Sequence, residues 1–319
     1  MSLKPTPLAV FTFNRADHAR RVLDSLAACR RFGECRLHIF CDGPQRPEQA
    51  AAVAASRQAV RDWLARTGTP AQVVEQPQNL GSGGSVVAGV TELCQTYGRA
   101  IVVEDDLVFS PDFLDYMLRG LERYQSEPQV YEIAGYMYPI AHPAQPACFF
   151  LPFINAWGWA TWDRAWRSFE MEPADALETL ADPATRRRFD LGLEEARFSN
   201  MLKNRLAGEI DAWDIQWRYA VFKADGLVLY PRRSLVWNGG FDGSGINSGR
   251  TPKFPQPSLG DVRRARLTDG LALPDNLAVD DGALERVKTF LREGRRLRKR
   301  SLAARVRSGL RRRWAALSR

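Results

Sequence analysis

Apolar positions along the first half of the chain fall into short solid runs separated by helical stripes. Leu8-Ala-Val-Phe-Thr-Phe13 is a solid run, the pattern of a buried strand. Over Ala16 to Arg31 the residues Ala19, Val22, Leu23, Leu26 and Ala27 recur at helical spacing, which predicts an amphipathic helix. The alternation continues with strands at Leu37–Cys41, Ala71–Glu75, Ala100–Val103 and Val130–Ala134. Between them the pattern predicts helices over Gln49–Arg66, Gly81–Tyr97 and Pro111–Tyr124, the last with proline near its start. Asp42-Gly-Pro and Gly81-Ser-Gly-Gly84 are turn signals. Strands alternating with helices predict an α/β fold whose mostly parallel sheet is covered on both faces. Such sheets bind ligands beyond the carboxyl ends of their strands. The polar residues at those ends are Asn14-Arg15, Asp42 and Glu104-Asp105-Asp106.

The texture changes after residue 145. Phe149 to Trp166 is rich in aromatic residues, and Trp162 and Trp166, one turn apart, read as the start of a packed helix. Helical segments are expected at Ala174–Leu180, Arg186–Leu206 and Trp213–Ala224, with short strands at Leu227–Tyr230 and Leu235–Trp237. A glycine-rich loop follows from Asn238 to Gly249, and Ser258 to Asp281 reads as a linker. The expected organisation is a ligand-binding domain over 1–145, a catalytic, acceptor-side region over 146–257, and a linker with a basic tail over 258–319.

Charge sharpens that division. The net charge is +8, but residues 286–319 carry fourteen Lys and Arg against Glu293 alone, so the body before them is acidic. Leu302, Val306, Leu310, Trp314 and Leu317 form an apolar stripe among Arg305, Arg307, Arg311, Arg312 and Arg313. A basic amphipathic helix of this kind suits an anionic membrane surface; a solvated tail or a packing helix is the alternative. No recognisable nucleic-acid-binding module accompanies the tail, so no nucleic-acid partner is expected. There is no signal-peptide pattern and no run of about 18 apolar residues. Five cysteines without a CxxC pair speak against a disulfide framework or a zinc site and fit a reducing cytoplasm. Three scattered histidines offer little to a His-rich metal site or a Ser-His-Asp triad.

Three consecutive acids at the end of a hydrophobic strand need a physical reason. Clustered carboxylates repel one another, and a bound cation relieves that cost. Oxygen ligands suit Mg²⁺ or Mn²⁺, with a diphosphate completing the shell. The plainer reading is a solvated acidic turn before a helix capped by Ser110.

The run Val102-Val-Glu-Asp-Asp-Leu-Val-Phe-Ser-Pro-Asp-Phe-Leu-Asp-Tyr116 resembles the metal-site segment of N-acetylglucosaminyltransferase I and its GT-A relatives, a Val-Val-Glu-Asp-Asp-Leu run followed by Pro-Asp-Phe. The resemblance implies a GT-A glycosyltransferase fold, with Asp106 on the metal and Glu104 and Asp105 on the donor. It also implies that Arg15, at the end of Phe11-Thr-Phe-Asn-Arg15, meets the nucleotide and that Asp42 meets the base. Asn79-Leu-Gly-Ser-Gly-Gly84 resembles a loop of bacterial sugar transferases, without its usual basic residue. Gly158-Trp159 resembles a Gly-Trp pair near the family's active site, which makes Trp159 a candidate sugar platform. Asp211-Ala-Trp-Asp-Ile-Gln-Trp-Arg218 resembles a Trp-Asp-Asp-Trp segment that carries the catalytic base. Asp214 matches that base; Ile215 departs from the pattern, Asp211 is a rival, and Asp214 could instead cap the following helix. Ser234 to Gly249 resembles a late loop, with Asn247 where many relatives have His.

These readings converge on a cytoplasmic, peripheral, inverting transferase using Mn²⁺ or Mg²⁺. The donor would be a UDP-sugar, UDP-N-acetylglucosamine by resemblance, and the acceptor a glycan or lipid-linked molecule in cell-surface polysaccharide assembly. The alternatives are a non-catalytic glycan-binding module and a sugar nucleotidyltransferase. The latter needs a glycine-rich triphosphate loop after the first strand, and Asn14-Arg-Ala-Asp-His18 contains no glycine.

Overall fold

The computed structural model describes residues 5–141, 147–193, 198–242, 256–267 and 271–293. Its first half follows the expected alternation: β1 (Thr6–Thr12), α1 (Ala16–Ala27), β2 (Cys35–Cys41), α2 (Ala50–Thr67), β3 (Ala71–Glu75), α3 (Gly81–Tyr97) and β4 (Arg99–Glu104). There follow β5 (Leu107–Phe109), α4 (Phe113–Arg123), β6 (Val130–Ala134), β7 (Cys148–Leu151) and β8 (Trp159–Trp162). The remaining labelled elements are α5 (Asp163–Trp166), α6 (Ala176–Thr179), α7 (Pro183–Phe189), α8 (Phe198–Leu206), α9 (Asp214–Lys223), β9 (Leu227–Pro231), β10 (Val236–Asn238) and α10 (Leu259–Arg264), with a last helix over 281–293.

Eight strands form one mixed, mostly parallel sheet in the order β3-β2-β1-β4-β8-β6-β9-β7, flanked by helices. β1 runs parallel to β2 and β4, and β6 runs parallel to β9. β8 lies antiparallel between β4 and β6. The central strands read as solid apolar runs because both faces are covered. One face carries Leu8, Val10, Ile39, Ile101 and Val103 into a core with α1 and α4, and the other carries Ala9, Phe11 and Val102 against α3 and α9. Helix α1 buries the expected stripe, Ala19, Val22, Leu23 and Leu26. Helices α2 and α3 end at Gly68 and Gly98, both left-handed, where glycine carries no Cβ penalty.

The structure differs from the sequence expectation in four places. Trp159–Trp162 is a central strand, and the packed helix start expected at Trp162 and Trp166 is the single turn α5 that follows it. The helix expected over Arg186–Leu206 splits into α7 and α8, because Leu191 and Gly192 turn left-handed after α7. The segment read as a linker is packed: Ser110 Oγ donates to Ala265 O at 2.7 Å, Leu267 N donates to Asp112 Oδ2 at 2.7 Å, and Tyr124 Oη donates to Pro274 O at 2.8 Å. Finally, the last helix buries Ala283 and Val287 in the core, so residues 286–293 are part of the body. The amphipathic stripe from Leu302 to Leu317, and Asn247, lie outside the described residues. Strands from both sides of residue 145 share the one sheet.

Candidate active site

The parallel register aligns the carboxyl ends of three strands. Thr12 of β1 faces Cys41 of β2, and Phe11 faces Glu104 of β4. Arg15, Asp42 and the acidic triplet therefore share one edge of the sheet. The guanidinium of Arg15 pairs with Asp105 Oδ1 and lies 3.4 Å from Asp106 Oδ2. Burial works against this guanidinium, yet Asp105 and Asp106 hold its pKa above the ordinary value. Asp105 is buried, and its second oxygen, Oδ2, has no partner. The Nη1 of Arg15 is likewise buried and unpartnered.

Asp106 is held from the other side by a strand pair that sequence patterning did not reveal. β10 runs antiparallel to β5, with Asn238 opposite Leu107. Gly239 N then donates to Asp106 O at 2.7 Å, and Gly240 N donates to Asn238 Oδ1 at 2.7 Å. A Cβ on Gly240 would collide with Asp106 Oδ2, so the close approach requires glycine. His18 is among the charges acting on Asp106, and the Arg21 guanidinium sits 5.7 Å from the Trp237 ring centroid.

Asp42 is buried and already engaged. Its Oδ1 accepts from Gly43 N at 2.8 Å and Leu80 N at 2.9 Å, and its Oδ2 accepts from Asn79 Nδ2 at 3.0 Å. It fixes the turn into α3. The glycines of that turn approach the 211–213 segment: a Cβ on Gly83 would lie 3.1 Å from Asp211 Oδ1 and 3.3 Å from Trp213 Cβ. Asp211 is an exposed residue set against the start of α3.

Asp214 is the first residue of α9 and is half-buried. It is the last of the charges that raise Glu104. Burial pushes Glu104 up to about 8, reinforced by Asp106 and Asp105 and opposed by Arg15. Burial also raises Asp106 and Asp214; backbone N–H groups of the first turn of α9 and the Arg218 charge oppose it at Asp214. The carboxylate of Asp214 thus lies at the helix start.

Trp159 does not offer a ring face to a ligand. It is 1% exposed, and its ring packs against Trp166, Trp213 and Trp217 at 5.6–6.2 Å between centroids. As a central strand residue paired with Val102 and Ala134, it belongs to the core. Trp157, by contrast, is half-buried, in contact with Tyr136 and Phe241.

Sequence reading also passed over two buried charges. Glu132, in the middle of β6, is fully buried and accepts from Asn155 N at 2.8 Å and Trp217 Nε1 at 2.7 Å. An acid inside Val130-Tyr-Glu-Ile-Ala134 was the available signal. Arg218 lies 3.8 Å from the Phe198 ring centroid, and burial brings its pKa down to about 10.

Among the described residues, no group of three His, Cys, Asp or Glu side chains converges as a ready metal cage. The residues present fit a hard divalent cation held partly by its ligand. Mg²⁺-like ions use one or two carboxylates plus phosphate oxygens and water, and Asp106 with the unpartnered Asp105 oxygen would be the carboxylates to hold one.

No protein-family model and no curated protein matches this sequence. Among solved structures the chain is similar to S. aureus TarS 1-349 (TM-score 0.42, 10% identity, 75% of this chain and 62% of that one). It is also similar to S. aureus TarS (0.37, 11% identity, 75% and 37%) and to GalNAc-T7 with UDP, GalNAc and Mn²⁺ (0.46, 8% identity, 79% and 46%). The chain spans less than two-thirds of the length of each of these structures.

Proposed function

We propose that this chain is a GT-A glycosyltransferase that moves a sugar from a UDP-sugar to a glycan or lipid-linked acceptor with inversion. The observation that carries the reading is the meeting of Arg15 with Asp105 and Asp106 at the carboxyl edge of a mostly parallel sheet. Arg15, Asp42, Glu104 and Asp105 serve the donor. Asp106 would hold Mn²⁺ or Mg²⁺. When bound, that cation supplies charge stabilisation for the departing diphosphate.

The protein's own groups divide the remaining work. Arg15 holds Asp105 and Asp106 in place and offers its unpartnered Nη1 to an anion. Asp214 accepts a hydrogen bond from the acceptor hydroxyl and takes its proton as the oxygen attacks the anomeric carbon. The indole cluster behind Asp214 keeps water from that side. Among the described residues, no helix is long and apolar enough to cross a membrane. In this reading the enzyme works at the cytoplasmic membrane face, and the basic residues beyond 293 bind anionic lipid.

The experiment is thermal shift and calorimetry with UDP and UDP-N-acetylglucosamine, with and without Mn²⁺, on wild type and Asp106→Ala. Expected are a UDP-dependent shift that needs Mn²⁺ and its loss in a folded Asp106→Ala protein. Equal UDP affinity in the folded variant removes Asp106 from the metal site. No nucleotide binding by the wild type overturns the function.

A further inference from the structure

We propose that Glu132 is a positioning residue whose buried carboxyl fixes where the first turn of α9 presents Asp214. The inference rests on the glycosyl-transfer reading of Asp214. Helix α9 meets the sheet mainly through rings: Trp217 lies 6.2 Å from Trp159, 5.1 Å from Trp166 and 6.1 Å from Tyr131 between centroids. Ring packing is strong but weakly directional, so it resists separation more than sliding. The hydrogen bond from Trp217 Nε1 to Glu132 Oε2, at 2.7 Å, is directional and pins the helix to β6. Trp217 lies three residues after Asp214, on the adjacent turn of the same side of the helix.

The other oxygen of Glu132 fixes the opposite wall. Oε1 accepts from Asn155 N at 2.8 Å, and Asn155 Oδ1 accepts from Trp157 N at 3.0 Å. Trp159 pairs with both Val102 and Ala134, so this loop enters the sheet at the carboxyl ends of β4 and β6. One side chain therefore ties α9 and the Asn155–Trp157 loop to a single point on β6. Among side chains of this length, only an ionised carboxylate presents two acceptor oxygens to two N–H donors, and both donors favour that form. A glutamine would turn an NH₂ toward one of them. Packing alone does not call for this arrangement. Burial pushes the Glu132 carboxyl up to about 8 against its two donors, and apolar residues of similar volume fill an interior at lower cost.

The test uses the full-length chain as Glu132→Gln and, separately, Trp217→Phe. UDP affinity is measured by calorimetry with Mn²⁺ and turnover by UDP release from UDP-N-acetylglucosamine. Hydrogen exchange is followed at the amides of residues 214–217. Expected are folded proteins, unchanged UDP affinity, faster exchange at 214–217 and turnover lowered about 10- to 100-fold by a displaced base. If Glu132→Gln does not fold, Trp217→Phe, which leaves the Asn155 bond in place, carries the test. Normal turnover in a folded variant overturns the proposal, and so does a parallel loss of turnover and UDP affinity. If the wild type itself releases no UDP, the transferase reading fails instead. Exchange at 214–217 then decides this proposal, and wild-type exchange in both variants overturns it.

Discussion

Arg15 and Asp105, ninety residues apart, form an ion pair that joins the end of β1 to the turn after β4. The same guanidinium reaches Asp106, so one cation stands among three acids in a half-buried site. Arg15 thereby sets the charge balance at the sheet edge as well as its geometry.

Replacing Arg15 with methionine removes that counter-charge and leaves Asp105 buried and unpaired. Removing one partner of a buried pair costs about 3–5 kcal/mol, and the partial exposure of Arg15 puts the loss here at the low end. Added Mn²⁺ should recover part of the lost stability if the triplet binds a cation. Thermal melts with and without Mn²⁺ measure this. A variant as stable as wild type, or one blind to Mn²⁺, contradicts the charge balance described here.

Asp214→Asn is nearly isosteric and removes the proton acceptor. Turnover should fall by about a hundredfold or more, while UDP affinity with metal stays the same. Asp211→Asn should be much milder, because Asp211 lies against the glycines at the start of α3. Sugar transfer and UDP binding measured on the same samples decide it. A dead Asp211→Asn enzyme with a normal Asp214→Asn one reverses the assignment.

Gly240→Ala places a methyl group where Asp106 Oδ2 now sits. The carboxylate must move, so metal-dependent UDP binding should weaken at least about tenfold, as expected for a displaced ligand group. Gly84→Ala, with no neighbour closer than 3.5 Å to the new methyl, is the control. Calorimetry on both variants separates a local displacement from a general loss of structure.

His38 sets a pH limit on stability away from the site. It is buried on β2, its ring meets Tyr97 edge-on, and neither ring nitrogen has a partner. Burial, then the Arg36 charge, lowers its pKa from the usual 6.5. The unfolded chain therefore binds a proton that the folded chain refuses. This contribution to stability is intact above 6.5 and declines as pH falls toward the lower folded value. His38→Leu should flatten that decline and, by removing two unsatisfied buried polar atoms, stabilise the fold by about 1–3 kcal/mol. Urea midpoints at acidic and neutral pH provide the measurement, and an unchanged slope with pH rules the assignment out.

The sequence by itself determined the order β1-α1-β2-α2-β3-α3-β4 and the acids at the end of β4. Solid apolar runs, helical stripes and turn residues are local signals, and each of these elements carries one. They record that a residue is buried but not what it is buried against. Trp159–Trp162 is buried at every position, so it shows no alternation, and only its pairing with β4 and β6 makes it a strand and withdraws Trp159 from any ligand. A short strand was expected at Leu235–Trp237, close to β10, but its three-residue partner β5 was not, and the two meet across more than a hundred residues. Asp211 and Asp214 are three positions apart, yet Asp211 rests on the start of α3 while Asp214 is the first residue of α9, because the helix begins between them. Glu132 was visible only as an acid in an apolar strand. Its partners, Trp217 and Asn155, come from a helix and a loop that chain folding alone brings to its two oxygens.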